Sequence, residues 1–128
     1  MHQELEQKLY DDFPELYRGR NKSLKESSMC FGFSCGDGWF QIIYDLSADI
    51  MAIVNEEGIA VPEVRQVKEK LGGFCFYLDG VNEKINRRIM QATALSLETC
   101  EVCGAPGRKS SGVWIRTLCD EHASKEGF

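Results

Sequence analysis

Val64-Arg65-Gln66-Val67-Lys68-Glu69-Lys70-Leu71-Gly72-Gly73-Phe74-Cys75-Phe76-Tyr77-Leu78 is the stretch on which the fold turns. Phe74, Phe76 and Leu78 alternate with Cys75 and Tyr77, which is the period of a strand with one apolar face. Val64 to Lys70 has matching length and strand character. Between the two arms sits Leu71-Gly72-Gly73, where glycine accepts the positive φ that a tight turn demands. The stretch therefore predicts a β-hairpin, ended by Asp79-Gly80.

Helical patterns flank the hairpin on both sides. Downstream, Asn82 is placed to cap a helix from Glu83 to about Leu97, with Ile85, Ile89 and Ala92 in one apolar row and Met90, Ala94 and Leu97 beside it. Upstream, Trp39, Ile43, Leu46, Ile50 and Val54 form one stripe at helical spacing, with Asp45 and Asp49 opposite. Asp37 suits the N-cap of that helix, and Gly58 its C-terminal end. Further out, Met29 to Phe33 reads as a short strand and Arg18 to Ser28 as a polar, serine-rich and mobile loop. Gln3 to Tyr10 reads as a short helix that Pro14 stops. Residues 1–98 are thus expected to form an α+β body, helices packed on a small antiparallel hairpin sheet, with residues 1–28 supplying the N-terminal helix and polar loop.

Residues 99–128 differ in kind. Three of the six cysteines fall there, in the pattern Cys100-x2-Cys103-Gly104 followed by Cys119-x2-His122. Thiolate sulfur and imidazole nitrogen suit Zn2+, and an x2 spacing lets two donors reach one ion from a single turn. A knuckle, a hairpin through Gly107–Gly112 with a strand at Val113–Arg116, and a helix carrying the second pair is the order of a treble-clef zinc module. A zinc ribbon, with both pairs on knuckles, is the alternative. Four protein donors leave no position open for water, so the expected Zn2+ is structural. A segment so poor in aliphatic residues needs the metal to fold. A redox role for Cys100 and Cys103 would need a thioredoxin-like βαβ context, which the pattern lacks.

Elsewhere the chemistry is sparse. The 128 residues are 43% hydrophobic and 27% charged, as in a folded domain. The stretch Met1–Pro14 has neither a basic n-region nor an apolar h-region, and no apolar run is long enough to cross a membrane, so a cytoplasmic location is expected. Cys30, Cys35 and Cys75 read as small buried hydrophobes. With His122 on the metal, His2 is the only other histidine. No phosphate-cradling loop and no paired carboxylates stand out. The formal net charge is −5, which argues against a general nucleic-acid binder. Residues 29–60 hold five carboxylates and no Lys or Arg. Arg65, Lys68, Lys70, Arg87 and Arg88 read as a solvated basic face, and Trp39 and Trp114 as core.

Residues 35–122 resemble a family of small proteins encoded by bacteriophages and prophages. The likeness rests on Gly36-Asp37-Gly38-Trp39-Phe40, on Gln66 to Gly73, on Phe76-Tyr77, and on the Cys-x2-Cys-Gly and Cys-x2-His pairs. It implies an accessory phage protein at work in the host cytoplasm, and it supplies no activity. Three functions follow as expectations. The first is an interaction protein that binds a host or anti-phage defence complex as an inhibitor, with acidic residues 37–57 mimicking nucleic acid. The second is a nucleic-acid-binding regulator using Arg108, Lys109 and Arg116 of the zinc module. The third, a nuclease, lacks a free histidine and ranks last.

Overall fold

The structure is a computed structural model that describes residues 1–127. Helix α1 (Gln3–Asp12) is followed by a short strand β1 (Phe33–Ser34) and by the long helix α2 (Phe40–Glu57). The hairpin comprises β2 (Glu63–Lys70) and β3 (Gly73–Asp79) and leads into α3 (Glu83–Ser96). A second small hairpin, β4 (Arg108–Lys109) and β5 (Thr117–Leu118), precedes α4 (Asp120–Lys125). The larger sheet has the order β1-β2-β3, with β1 parallel to β2 and β2 antiparallel to β3. It is therefore a mixed open sheet, since Phe33–Ser34 adds a parallel edge to the expected hairpin. Among the described residues, no helix is long and apolar enough to cross a membrane.

The apolar stripe of α2 is buried as its spacing requires: Trp39, Ile43, Leu46, Ile50 and Val54 all lie in the core. They face Phe33, Val64, Val67, Phe74 and Phe76 of the sheet. Tyr17 fills the middle, edge-on to Phe33 and Phe76, and exchanges a 2.6 Å hydrogen bond with Ser47. Helix α2 ends at Gly58, which takes a left-handed φ of 62°. Asn82 Oδ1 accepts the Ile85 N–H at 2.9 Å and so caps α3 as expected.

Several expectations fail for physical reasons. Met29–Phe31 is a single 3-10 turn, and only Phe33–Ser34 pairs as a strand. The Glu6 carboxylate accepts the Phe33 N–H there, closing the chain on α1. Arg18–Ser28 is anchored to the body. Gly19 and Ser27 are buried, and the Ser28 N–H donates to Arg65 O. Beneath this segment the buried Glu63 carboxylate meets Lys22 at 2.7 Å and Arg18 and Arg65 at 3.7 Å. On α3, Met90 and Ala94 face solvent, because one row of Ile85, Ile89 and Ala92 suffices to cover α2. The basic residues do not form one face. Lys68 and Lys70 lie on the sheet, whereas Arg88 on α3 pairs with Asp49 at 2.7 Å.

Candidate metal centre

The residues Gly36-Asp37-Gly38-Trp39 make a 3-10 turn rather than a capped helix start. Asp37 does not cap α2; its carboxylate accepts the His2 main-chain N–H at 2.7 Å and pairs with the His2 ring. Burial alone would raise the Asp37 pKa, but these hydrogen bonds outweigh it and hold the group below the usual carboxylate range. The turn has a second task, which its glycines explain. The Gly38 N–H donates to Glu101 O at 2.8 Å, and the Gly36 N–H to Glu101 Oε2 at 2.9 Å. Trp39 Nε1 donates to Thr99 O at 2.9 Å. The turn thus holds Thr99 and Glu101, on either side of Cys100.

Cys100-Glu101-Val102-Cys103-Gly104 forms the knuckle. Gly104 has a φ of 82°, and its N–H returns to Cys100 O at 2.9 Å. The second pair sits at the start of α4, with Cys119 in the N-cap position and His122 in the first turn. Strands β4 and β5 join the two halves, pairing Arg108 with Leu118 and Lys109 with Thr117. The strand expected at Val113–Arg116 is displaced to Thr117–Leu118. Ser110 takes the place of a longer ladder: its Oγ donates to Trp114 O and accepts the Arg116 N–H. That closure turns Val113 and Trp114 outward, so Trp114, expected in the core, is 66% exposed.

The four donors converge. Cys100 Sγ, Cys103 Sγ, Cys119 Sγ and one ring nitrogen of His122 lie within 4.8 Å of one another. Cys103 and Cys119 sulfurs are 3.8 Å apart, and His122 Nδ1 is 3.7 Å from Cys100 Sγ and 3.2 Å from Cys119 Sγ. Tetrahedral Zn2+ with bonds of about 2.3 Å to sulfur and about 2.0 Å to nitrogen sets its donors roughly 3.5–3.8 Å apart. The donor set and spacing are consistent with a structural zinc site. The electrostatics agree. Burial alone would raise the Cys100 thiol, but main-chain N–H groups of Cys119, Cys103 and Val102 outweigh it and lower the pKa to about 7. Cys103 is aided by the Ala105 N–H, yet burial and the neighbouring Cys100 and Cys119 thiols push it up on balance. A divalent cation removes that mutual repulsion.

Glu101 is a residue that sequence reasoning missed, because an x position of a Cys-x2-Cys turn reads as solvated. It is buried and faces Arg116, which also binds Glu126. The remaining thiols stay apart from the cluster. Cys35 is buried and its thiol is pushed up to about 12, chiefly by burial, while Cys30 is exposed. Cys75 lies on the outer face of β3. Among the described residues, the Cys100, Cys103, Cys119 and His122 group is the one set arranged to hold a metal. Comparison with protein-family models, with curated proteins and with solved structures finds no match for this chain.

Proposed function

We propose that the chain is a zinc-stabilised binding protein of phage type that docks on a protein complex of its bacterial host. Inhibition of an anti-phage defence complex is the concrete form of this reading. In it, Zn2+ occupies the Cys3His cluster and makes residues 99–128 a treble-clef-like module, following the order knuckle, hairpin, ligand-bearing helix. The metal is structural because all four donors are protein side chains. Both histidines are engaged, His122 with the cluster and His2 with Asp37.

One observation carries the docking reading. Leu71 is the only non-glycine residue among those described with positive φ, at 53°, and its side chain is 64% exposed. A branched apolar residue in the left-handed region of a two-residue turn costs stability that Asn or Gly would not. Such strain persists where the side chain is needed. The turn abuts the module, since Gly72 O accepts the Thr117 hydroxyl at 2.6 Å. Gly72, next to Leu71, also lies beside Ile115, the residue that follows the exposed Val113–Trp114 pair. Exposed Trp and aliphatic residues of this kind anchor protein interfaces.

The two charge-based routes receive less support. Asp49 and Glu56 of the acidic helix pair with Arg88 and Lys84 of α3, which blunts its value as a nucleic-acid mimic. In the module, Arg108 pairs with Asp120 and Arg116 with Glu101 and Glu126. The test is affinity purification from phage-infected bacterial cells with the wild type, Trp114→Ala and Leu71→Asn. A host protein retained by the wild type and lost from both variants, each still carrying one zinc, is the expected result. Equal retention by all three would overturn docking through this end.

A further inference from the structure

The face of the sheet turned away from α2 is mostly polar, with Tyr77 as its exposed ring. Strand pairing sets Phe33, Val64, Val67, Phe74 and Phe76 inward and leaves Ser34, Gln66, Lys68, Lys70, Cys75 and Tyr77 outward. Lys68 stands opposite Cys75, and its ammonium lies 6.0 Å from the Tyr77 ring centroid. Lys70 follows two residues on, about 7 Å along the strand. Beyond the turn, the Lys109 stem lies over Gly72, at 3.5 Å from where a Cβ would stand. These three lysines continue one another from the strand to the tip.

The carboxylates that could neutralise them are placed elsewhere. Glu69 points inward and accepts the Gly72 N–H, and Asp79 at the far end is held by Arg65. Among the described residues, no ion pair includes Lys68, Lys70 or Lys109. A molecule of net charge −5 thus keeps a row of uncompensated cations beside a half-exposed aromatic ring. An open sheet face with lysines to follow phosphates and a ring to receive a base is the chemistry of single-strand recognition.

We propose that this face binds single-stranded nucleic acid, with Lys68, Lys70 and Lys109 following the phosphates and Tyr77 stacking on a base. The site shares Lys109 with the zinc-module route but runs along the sheet face instead of through Arg108 and Arg116, and it goes beyond the protein-docking reading. The acidic remainder of the surface repels a polyanion, which confines the strand to this face. An accessory protein with an apolar tip for protein and an adjoining cationic face for nucleic acid fits a nucleoprotein target.

The test uses the zinc-loaded full chain and fluorescence anisotropy with labelled oligothymidylate, oligouridylate and a duplex of equal length. Binding of at least one single strand more tightly than the duplex is expected, and the tighter of the two names DNA or RNA as the source. Three phosphate contacts predict a slope of about −2 in log affinity against log salt. Lys68→Gln with Lys70→Gln should flatten that slope to about −0.7. Tyr77→Leu should weaken binding roughly 5- to 100-fold at an unchanged slope. Lys25→Gln, an exposed lysine in the Arg18–Ser28 segment and outside the proposed site, should alter neither. Circular dichroism and zinc content establish that each variant is folded. No binding of either single strand at low salt would overturn the proposal. So would polyglutamate binding of equal strength that ignores Tyr77→Leu, which would assign the face to an acidic protein.

Discussion

A Cβ on Gly38 would lie 2.1 Å from Cys100 O and 2.6 Å from Gly104 N, and one on Gly36 would lie 2.3 Å from Glu101 O. Those neighbours are backbone, held by the knuckle, so they cannot yield as a flexible side chain would. Gly38→Ala is accordingly expected to destabilise the zinc-loaded protein by at least ~2 kcal/mol and to weaken its hold on zinc. Urea unfolding together with competition against a zinc-chelating dye measures both. Unchanged stability and affinity would mean that the turn does not support the knuckle. At this scale the convergence of Cys100, Cys103, Cys119 and His122 was legible, because x2 spacing of Cys and His brings such side chains together. The clamp that holds them was not. Asp37 resembled a helix cap because its residue type favours that role, and nothing local announced that His2, thirty-five positions away, would claim it.

Among the elements, α2, α3 and the hairpin followed their periodicity closely, since one buried face dictates the period of each. The errors fall where two or three residues decide the outcome. Val113–Arg116 has strand composition, yet its place in the loop is set by Ser110, whose hydroxyl serves both Trp114 O and the Arg116 N–H. Likewise β1 is too short to show a period and exists through pairing of Phe33 with Val67 and Ser34 with Lys68. The turn of the main hairpin was read correctly as a turn. Its glycines pointed to positive φ, but not that Leu71 would share the burden at 53° beside Gly72 at 88°. Leu71→Asn should relieve that strain and raise stability by ~0.5–1 kcal/mol, since Asn-Gly suits two consecutive left-handed residues. Thermal denaturation reads the gain. A loss of stability instead would show that the Leu71 side chain packs in solution and is no free anchor.

For the whole molecule, the question is how far the metal governs the body. The path is short: zinc in the cluster would hold Cys100, whose neighbours Thr99 and Glu101 hold Trp39 and Gly36, and Trp39 lies at the centre of the core against Phe74. Removal of such a metal would free four donors that repel or desolvate one another, opening the knuckle and depriving the buried Glu101 carboxylate of its frame. Trp39 then reports the consequence. In a Trp114→Phe background, chelation at neutral pH should shift Trp39 emission to the red and lower the melting temperature by roughly 10 °C or more. Acid should do the same without chelator. The folded Cys100 pKa, about 7, lies below that of a free thiol. Its thiolate therefore contributes fully above the free-thiol pKa, and the contribution is lost as pH falls through 7. With metal bound, protons must also displace zinc, which carries the loss lower still. The discriminating measurement is Trp39 emission against zinc content during acid titration. Coincident curves mean that knuckle and body unfold as one unit. Zinc leaving while Trp39 stays blue would mean that residues 1–98 stand alone and the metal serves only the module.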